Sequence, residues 1–370
     1  MSRRLFLSAA GAALLAAPTT SLWGRTLYSS LGPITALAFS PDGRRLAFAQ
    51  GWRITTLDLR TGVPSALPSP HQGVVNSLYF SANTELLGSG GADGTVLLWR
   101  GGKIVGRWDV GGHITSVAVS SGGSVVAGFW DGRLVFPTTA SARTVQGHLF
   151  GKVRLHFAPG ERVVVSSGDD QTVNLWSLGT AQKVGSLRAP GLGIKAHRGR
   201  TSAIFISADQ VLTGGVPARQ VPALALWDAN SLTMLKTYTP PLRRHLLQGE
   251  GAEYLSASAD GQTVGYLPLA QANLFGVFDV QSWIPKAEVS LNEGSIVNAL
   301  ISPNGQFCVL AASSGAVHFF DVVGGQPIVA VVQDYDAFFV YVLGNSDRIV
   351  ATKDIQTTLA EALSRVTASR

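Results

Sequence analysis

Residues 75–99 read VNSLYFSANTELLGSGGADGTVLLW, and the fold is decided in this stretch. Val75 to Phe80 alternates as a half-buried strand does. Ser81-Ala82-Asn83-Thr84 is a turn, and Leu86 to Gly90 is a second strand. Asp93-Gly94 makes a tight hairpin, because both residue types tolerate positive φ. Thr95 to Trp99 is a third strand, and Ile104 to Val110 supplies a fourth. The unit is therefore four short strands in sequence order.

Outward from this unit, the turn recurs. It begins at Ser40, Ser81, Ser120, Ala158, Ser207, Ser258, Ser302 and, in weaker form, Leu343, at intervals of 41, 39, 38, 49, 51, 44 and 41. A large apolar residue ends the third strand in the same register: Leu57, Trp99, Phe136, Trp176, Trp227, Phe278, Phe320 and Leu359. Repeats of this length mean one supersecondary unit used many times. A lone four-stranded sheet cannot bury both faces, whereas radial packing around a channel lets each sheet cover the next. The expected fold is an all-β propeller with antiparallel four-stranded blades, eight in number, with seven as the alternative because units one, six, seven and eight are degenerate. The eighth unit is expected to supply three strands, Phe338 to Leu343, Arg348 to Lys353 and about Gln356 to Leu363.

These units resemble the WD-repeat family. The resemblance is carried by Gly112-His113 and Gly147-His148, a variant Pro70-His71, hairpin Asp93, Asp131 and Asp170, and Trp99, Trp176 and Trp227 closing the third strand. Asp228, Asp279 and Asp321 follow that column, but a literal Trp-Asp stands in register only at Trp227-Asp228; Trp108-Asp109 and Trp130-Asp131 are out of register. The resemblance implies that Leu22 to Ser29 closes the ring by completing the last blade. It also implies a hydrogen-bonded tetrad in two units, His71, Ser89, Asp93 and Trp99, and His148, Ser166, Asp170 and Trp176.

Each tetrad contains the Ser, His and acid that nucleophilic catalysis uses. The His-to-Asp spacing is 22 and the Asp-to-Trp spacing is 6 in both. An active site is singular, so a set repeated from blade to blade is expected to be architecture. The seven His, at 71, 113, 148, 156, 197, 245 and 318, form no metal-ligand cluster. Asp169-Asp170 and Asp334-Tyr335-Asp336 do not make a calcium loop. No phosphate-cradling glycine loop follows a strand. No catalytic, cofactor or metal site is therefore expected. The alternative is a hydrolase or lactonase working in the central channel.

The chain starts Met1-Ser2-Arg3-Arg4-Leu5-Phe6-Leu7-Ser8, and Ala9 to Ala17 is apolar but short of the ~20 residues that span a bilayer. Paired arginines, Phe-Leu and small residues resemble a twin-arginine export signal. The expected division is a signal peptide at 1–21, cut after Ser21, one propeller at 22–363 and a tail at 364–370, with periplasmic location. A short cytoplasmic tail and an uncleaved anchor are the alternatives. The single cysteine, Cys308, lies in an apolar run and permits no intramolecular disulfide.

Net charge is +6, unevenly spread. Residues 188–245 hold eight Lys or Arg and two Asp, while 246–370 hold five basic and twelve acidic residues. The two long intervals come from inserted stretches, Ala189 to Gly199, Gly214 to Ala223, Pro240 to Glu250 and Leu267 to Leu274. All four fall in connections that open on one face. The expected docking residues are Lys195, Arg198, Arg200, Arg219, Arg243 and Arg244. The expected partner is a protein with an acidic surface, not nucleic acid, docked on a monomeric propeller that meets a membrane only if the signal is uncleaved.

Overall fold

The computed structural model describes residues 29–68, 70–138, 141–187, 201–215, 224–238, 252–268, 272–291, 294–334, 337–342 and 348–350. They form seven antiparallel sheets, each in strict chain order from first strand to last. The blades are residues 34–66, 75–109, 114–146, 153–187, 202–238, 252–290 and 296–350. Each blade's first strand lies next to the axis. These inner strands are Ile34–Phe39, Val75–Phe80, Ile114–Val119, Val153–Phe157, Ser202–Phe205, Ala252–Ala257 and Ile296–Ile301. Each neighbours the next, and Ile296–Ile301 neighbours Ile34–Phe39, so the ring closes.

The recurring turn has a clear cause. Ser40, Ser81, Ser258 and Ser302 are buried, and each Oγ accepts the backbone N–H five residues on. Each hydroxyl donates to the Asp or Asn two residues later, as Ser81 does to Asn83 at 2.7 Å. A hydroxyl that both accepts and donates locks the first hairpin with no polar group left unpaired.

Seven apolar clusters hold the blades together, one at each seam. Ala47, Leu78 and Trp99 join blades 1 and 2, for example, and Phe48, Phe307 and Phe319 join blades 1 and 7. Burial at ~25 cal/mol per Å² of apolar surface makes these seams the main source of stability. Polar latches add direction to them. Near the start of four inner strands, Thr35, Asn76, Thr115 and Arg154 each donate to a carbonyl of the next blade: Val75, Ile114, Val153 and Thr201. Deeper in, Ser77, Ser116, His156, Ser202 and Ser256 accept backbone N–H groups of the following blade. At blade 4 the acceptor is an imidazole: Phe205 N–H donates to His156 Nδ1 at 3.3 Å.

The expectation of eight blades is corrected to seven. Strands Ala337–Val342 and Arg348–Val350, read from sequence as the start of an eighth unit, extend the sheet of blade 7 beyond its fourth strand, Pro327–Asp334. Connection length explains this. A chain passing from one blade's outer strand to the next inner strand crosses three strand spacings of ~4.8 Å, about 14 Å. Two residues, 335 and 336, separate Asp334 from its pairing partner Ala337, and they reach only about 11 Å. The strand must therefore turn back as a hairpin. Among the described residues there is no eighth blade, and residues 22–28, expected to complete the last blade, lie outside them. Ser29 itself sits at the seam, where its N–H donates to Ser314 O at 2.9 Å.

Candidate functional site

The structure brings each tetrad together. In blade 2, Trp99 Nε1–H donates to Ser89 Oγ at 3.0 Å, Ser89 Oγ lies 2.8 Å from His71 Nε2, and His71 Nδ1 lies 3.1 Å from Asp93. One order of donors satisfies every group: indole to hydroxyl, hydroxyl to imidazole, imidazole to carboxylate. Blade 4 repeats it, with Trp176 to Ser166 at 2.8 Å, Ser166 to His148 at 2.8 Å and His148 to Asp170 at 3.1 Å. His71, Ser89, Trp99, His148 and Ser166 are all buried, and neither serine has exposed surface among the described residues.

The carboxylates do more than orient the rings. Asp93 accepts the N–H of Gln72 and Thr95, and Asp170 accepts the N–H of Leu149 and Thr172. Burial would raise the Asp170 carboxyl, but hydrogen bonds from His148, Leu149 and Thr172 outweigh it and hold it at about 2. Asp93 is held below its ordinary value by the same balance. Burial lowers the His71 imidazole despite the Asp93 charge, which keeps it neutral. Each tetrad therefore ties the loop entering its blade to the hairpin between the second and third strands.

A third Gly-His and hairpin Asp, His113 and Asp131, do not assemble a tetrad. Asp131 pairs with Arg133 at 2.7 Å, and the exposed His113 ring leans on Trp130 at 5.9 Å. Blade 3 has Ala127 and Pro137 where the others have Ser and Trp, and Phe136, placed in the Trp column from sequence, faces blade 4 instead, so the chain of donors has no middle. In blade 5, Trp227 keeps its bond by donating to Thr213 Oγ1 at 2.9 Å.

Side chains cross the central channel. Tyr79 of blade 2 reaches past the inner strand of blade 3, and its hydroxyl accepts Phe157 N–H of blade 4 at 3.3 Å. Burial pushes this phenol up to about 12. Nearer the opposite end, the Arg154 guanidinium of blade 4 lies 5.4 Å over the Tyr254 ring of blade 6 and pairs with Asp169 at 3.3 Å. Among the described residues no group of three or more His, Cys, Asp or Glu could hold a metal ion. Cys308 is fully buried, and desolvation pushes its thiol well above the ordinary range.

The six docking residues expected from sequence, Lys195, Arg198, Arg200, Arg219, Arg243 and Arg244, all lie outside the described residues. The strand ends flanking them are described. Leu187, Ser202, Gly214, Leu224, Tyr238 and Ala252 end or begin strands at one rim of the sheets. Of the fourth stretch, Leu267 and Leu274 belong to strands rather than to a loop.

The same rim carries a surface that the sequence reading missed. Trp130, Leu149 and Phe150 are exposed, and the backbone bridge of Asp131 to Gly151 joins the two loops that carry them. Lys152 Nζ stands 5.4 Å over the Trp130 ring. The signal was available. A Trp in a hairpin between second and third strands, and Leu-Phe directly after Gly-His, occupy positions that the unit's own burial pattern leaves in water.

Residues 63–100 and 140–177 match the family described as WD domain, G-beta repeat, and these are the two segments that contain the tetrads. The small ribosomal subunit protein RACK1y of Oryza sativa subsp. japonica is 32% identical over 99 residues, 24% of this chain. The match spans only 28% of that relative's length. The chain thus carries WD repeats in its second and fourth blades.

Proposed function

We propose that this chain is a protein-binding scaffold exported to the periplasm, that it has no catalytic task, and that it docks a partner with an acidic surface on the rim where its basic connections emerge. The observation that carries the reading is the duplicated, sealed tetrad. The only Ser-His-Asp sets among the described residues occur twice with one geometry, and each serine is capped by an indole. A hydrolase or lactonase in the channel is the competing reading; Tyr79 and Arg154 already cross that space. The WD repeats favour docking, and the related RACK1y is by name a protein of a larger assembly.

Two measurements test the parts separately. Arg3→Lys with Arg4→Lys is expected to leave the precursor unprocessed inside the cell, while the parent's mature form begins near Leu22; normal processing of the double variant removes the twin-arginine route. Replacing Arg198, Arg219, Arg243 and Arg244 with Ser is expected to leave melting within about 0.5 kcal/mol of the parent. Retention of the protein partner on the immobilised propeller should fall in the variant, and fall with salt in the parent, because exposed charges are screened over ~8–10 Å. Equal, salt-insensitive retention moves the docking face elsewhere.

A further inference from the structure

We infer that Tyr79 and Glu161 form a two-point brace that ties blade 2 to blade 4 across blade 3, and that this brace supplies the fastening blade 3 lacks. Blade 3 has no tetrad, because Ala127 and Pro137 stand where blades 2 and 4 have Ser and Trp. It also runs out of polar side chains at the end of its inner strand that leads into the recurring turn. The inner edge of blade 4 presents N–H groups at Val153, Leu155 and Phe157. Blade 3 accepts the first with Thr115 Oγ1 at 3.2 Å and the second with Ser116 Oγ at 3.1 Å. Next toward the turn is Ala118, fully buried, whose side chain can accept nothing. At the same position, two residues before the turn, blades 4 and 6 have His156 and Ser256, and each accepts an N–H of the following blade. Tyr79 holds that position in blade 2. Its hydroxyl reaches past blade 3 and accepts Phe157 N–H at 3.3 Å, which pairs a group that a bare strand edge would leave open.

Glu161 makes the second point. The fourth residue of the recurring turn is Gly43, Gly123, Gly261 or Gly305 in four other units, each at positive φ. Glu161 takes that position at φ 57°, a left-handed conformation that disfavours any residue with a Cβ. Its carboxylate spans to two other blades. Oε2 accepts Ser121 N–H of blade 3 at 2.6 Å, while Oε1 accepts the Ser121 hydroxyl at 3.1 Å and Ala82 N–H of blade 2 at 3.1 Å. Asn83 N–H donates to the same Ser121 Oγ at 3.1 Å, so the three turns are joined in a triangle. Bonds to an ionised acceptor are the stronger kind. The turn of blade 4 has no side-chain lock of its own, since Ala158 and Gly160 stand where other units have Ser and Asp or Asn. Glu161 therefore serves its neighbours rather than its own hairpin, and strain kept where glycine would relieve it marks a side chain with a task.

The brace has a consequence for how the ring opens. It bypasses blade 3, so loosening either seam of that blade leaves blades 2 and 4 joined. Opening blade 3 then requires the two tetrad-bearing blades to part as well. The arc from blade 2 to blade 4 thus behaves as one cooperative unit, although its middle blade is the least well fastened by motif.

The test is native-state amide hydrogen exchange on the full chain, with urea unfolding alongside. The parent is compared with Tyr79→Phe, Glu161→Gly, the double variant and Thr84→Gly. Thr84 has the same turn position in blade 2 at φ 64°, and its hydroxyl takes no part in the brace. Thr84→Gly therefore reports relief of the backbone alone and should unfold at the same or a higher urea concentration. Glu161→Gly gains the same relief, yet should unfold at a lower one, and exchange at Ala82 and Ser121 should quicken by about tenfold or more. Tyr79→Phe removes one oxygen and should quicken Phe157. In the double variant the central strand of blade 3, at Val126 and Ala127, should quicken more than Cys308 and Val309 of blade 7. If Glu161→Gly fails to fold, Glu161→Gln keeps one oxygen without the charge and should show the same pattern at smaller amplitude. Stabilisation of Glu161→Gly equal to that of Thr84→Gly, or unchanged exchange at Ala82, Ser121 and Phe157, overturns the brace. Quickening confined to those three amides also overturns it, because the contacts would then fasten only their own turns.

Discussion

Asp170→Ala is expected to lower the unfolding free energy by about 2–3 kcal/mol at neutral pH. The same interactions give this figure in two ways, which do not add. First, the carboxylate accepts from the His148 imidazole, from Leu149 N–H and from both the N–H and hydroxyl of Thr172. A hydrogen bond to a charged group contributes about 1.5–3 kcal/mol, and without Asp170 the fully enclosed His148 ring keeps only Thr172 Oγ1, 2.8 Å from its Nδ1, on that side. Second, the carboxyl is held at about 2 against an ordinary 3.8, a difference that corresponds to about 2 kcal/mol. A depressed acid contributes fully above its unfolded pKa and loses that contribution as pH falls through its folded one. The gap between parent and variant should therefore narrow between about pH 4 and pH 2. Asp170→Asn keeps one acceptor and should fall between the two proteins. Urea unfolding at pH 7 measures all three. An unchanged midpoint for Asp170→Ala would mean the tetrad carries no stability, and loss of a specific activity without loss of stability would make Asp170 catalytic.

Much of this fold is legible because its determinants are local. A serine that must accept from the fifth residue on and donate to the second leaves a fixed spacing, and the tetrads leave another. Those spacings are enough to place Ser81 with Asn83, and His148 with Asp170. The number of blades is less legible, because it depends on where a strand goes after a connection. Phe338 to Leu343 reads as an inner strand by composition, yet only two residues separate the paired Asp334 and Ala337, which commits Ala337–Val342 to the edge of blade 7. Inter-blade contacts leave no spacing at all. Nothing near His156 in sequence shows that its ring accepts from Phe205, 49 residues on. Trp130 is hidden for another reason. Judged by motif it is only an out-of-register Trp-Asp, and its significance lies in the exposure of its position.

The protein is expected to lose stability steeply between about pH 6.5 and pH 4, before its tetrad carboxylates titrate. His156 and His318 are both lowered to about 4 by burial, from an ordinary 6.5. A base lowered on folding takes up its proton in the unfolded chain first. Across that window the unfolded state therefore binds more protons, and the unfolding free energy falls as pH falls. Each histidine contributes a slope of up to about 1.4 kcal/mol per pH unit, so the pair gives about 3. His71, also lowered by burial, adds in the same direction. Below about pH 4 the folded state accepts the protons too, and the slope from these two groups ends. At His156 there is a structural consequence as well. Its Nδ1 accepts Phe205 N–H, and a protonated ring has no acceptor, so protonation opens the latch between blades 4 and 5. His156→Gln retains an acceptor that does not titrate. Its loss of stability between pH 7 and pH 5 should be smaller than the parent's by about 2 kcal/mol. Urea unfolding at the two pH values decides the matter: equal losses in parent and variant would mean that the seam latch is already broken, or the ring already charged, at neutral pH.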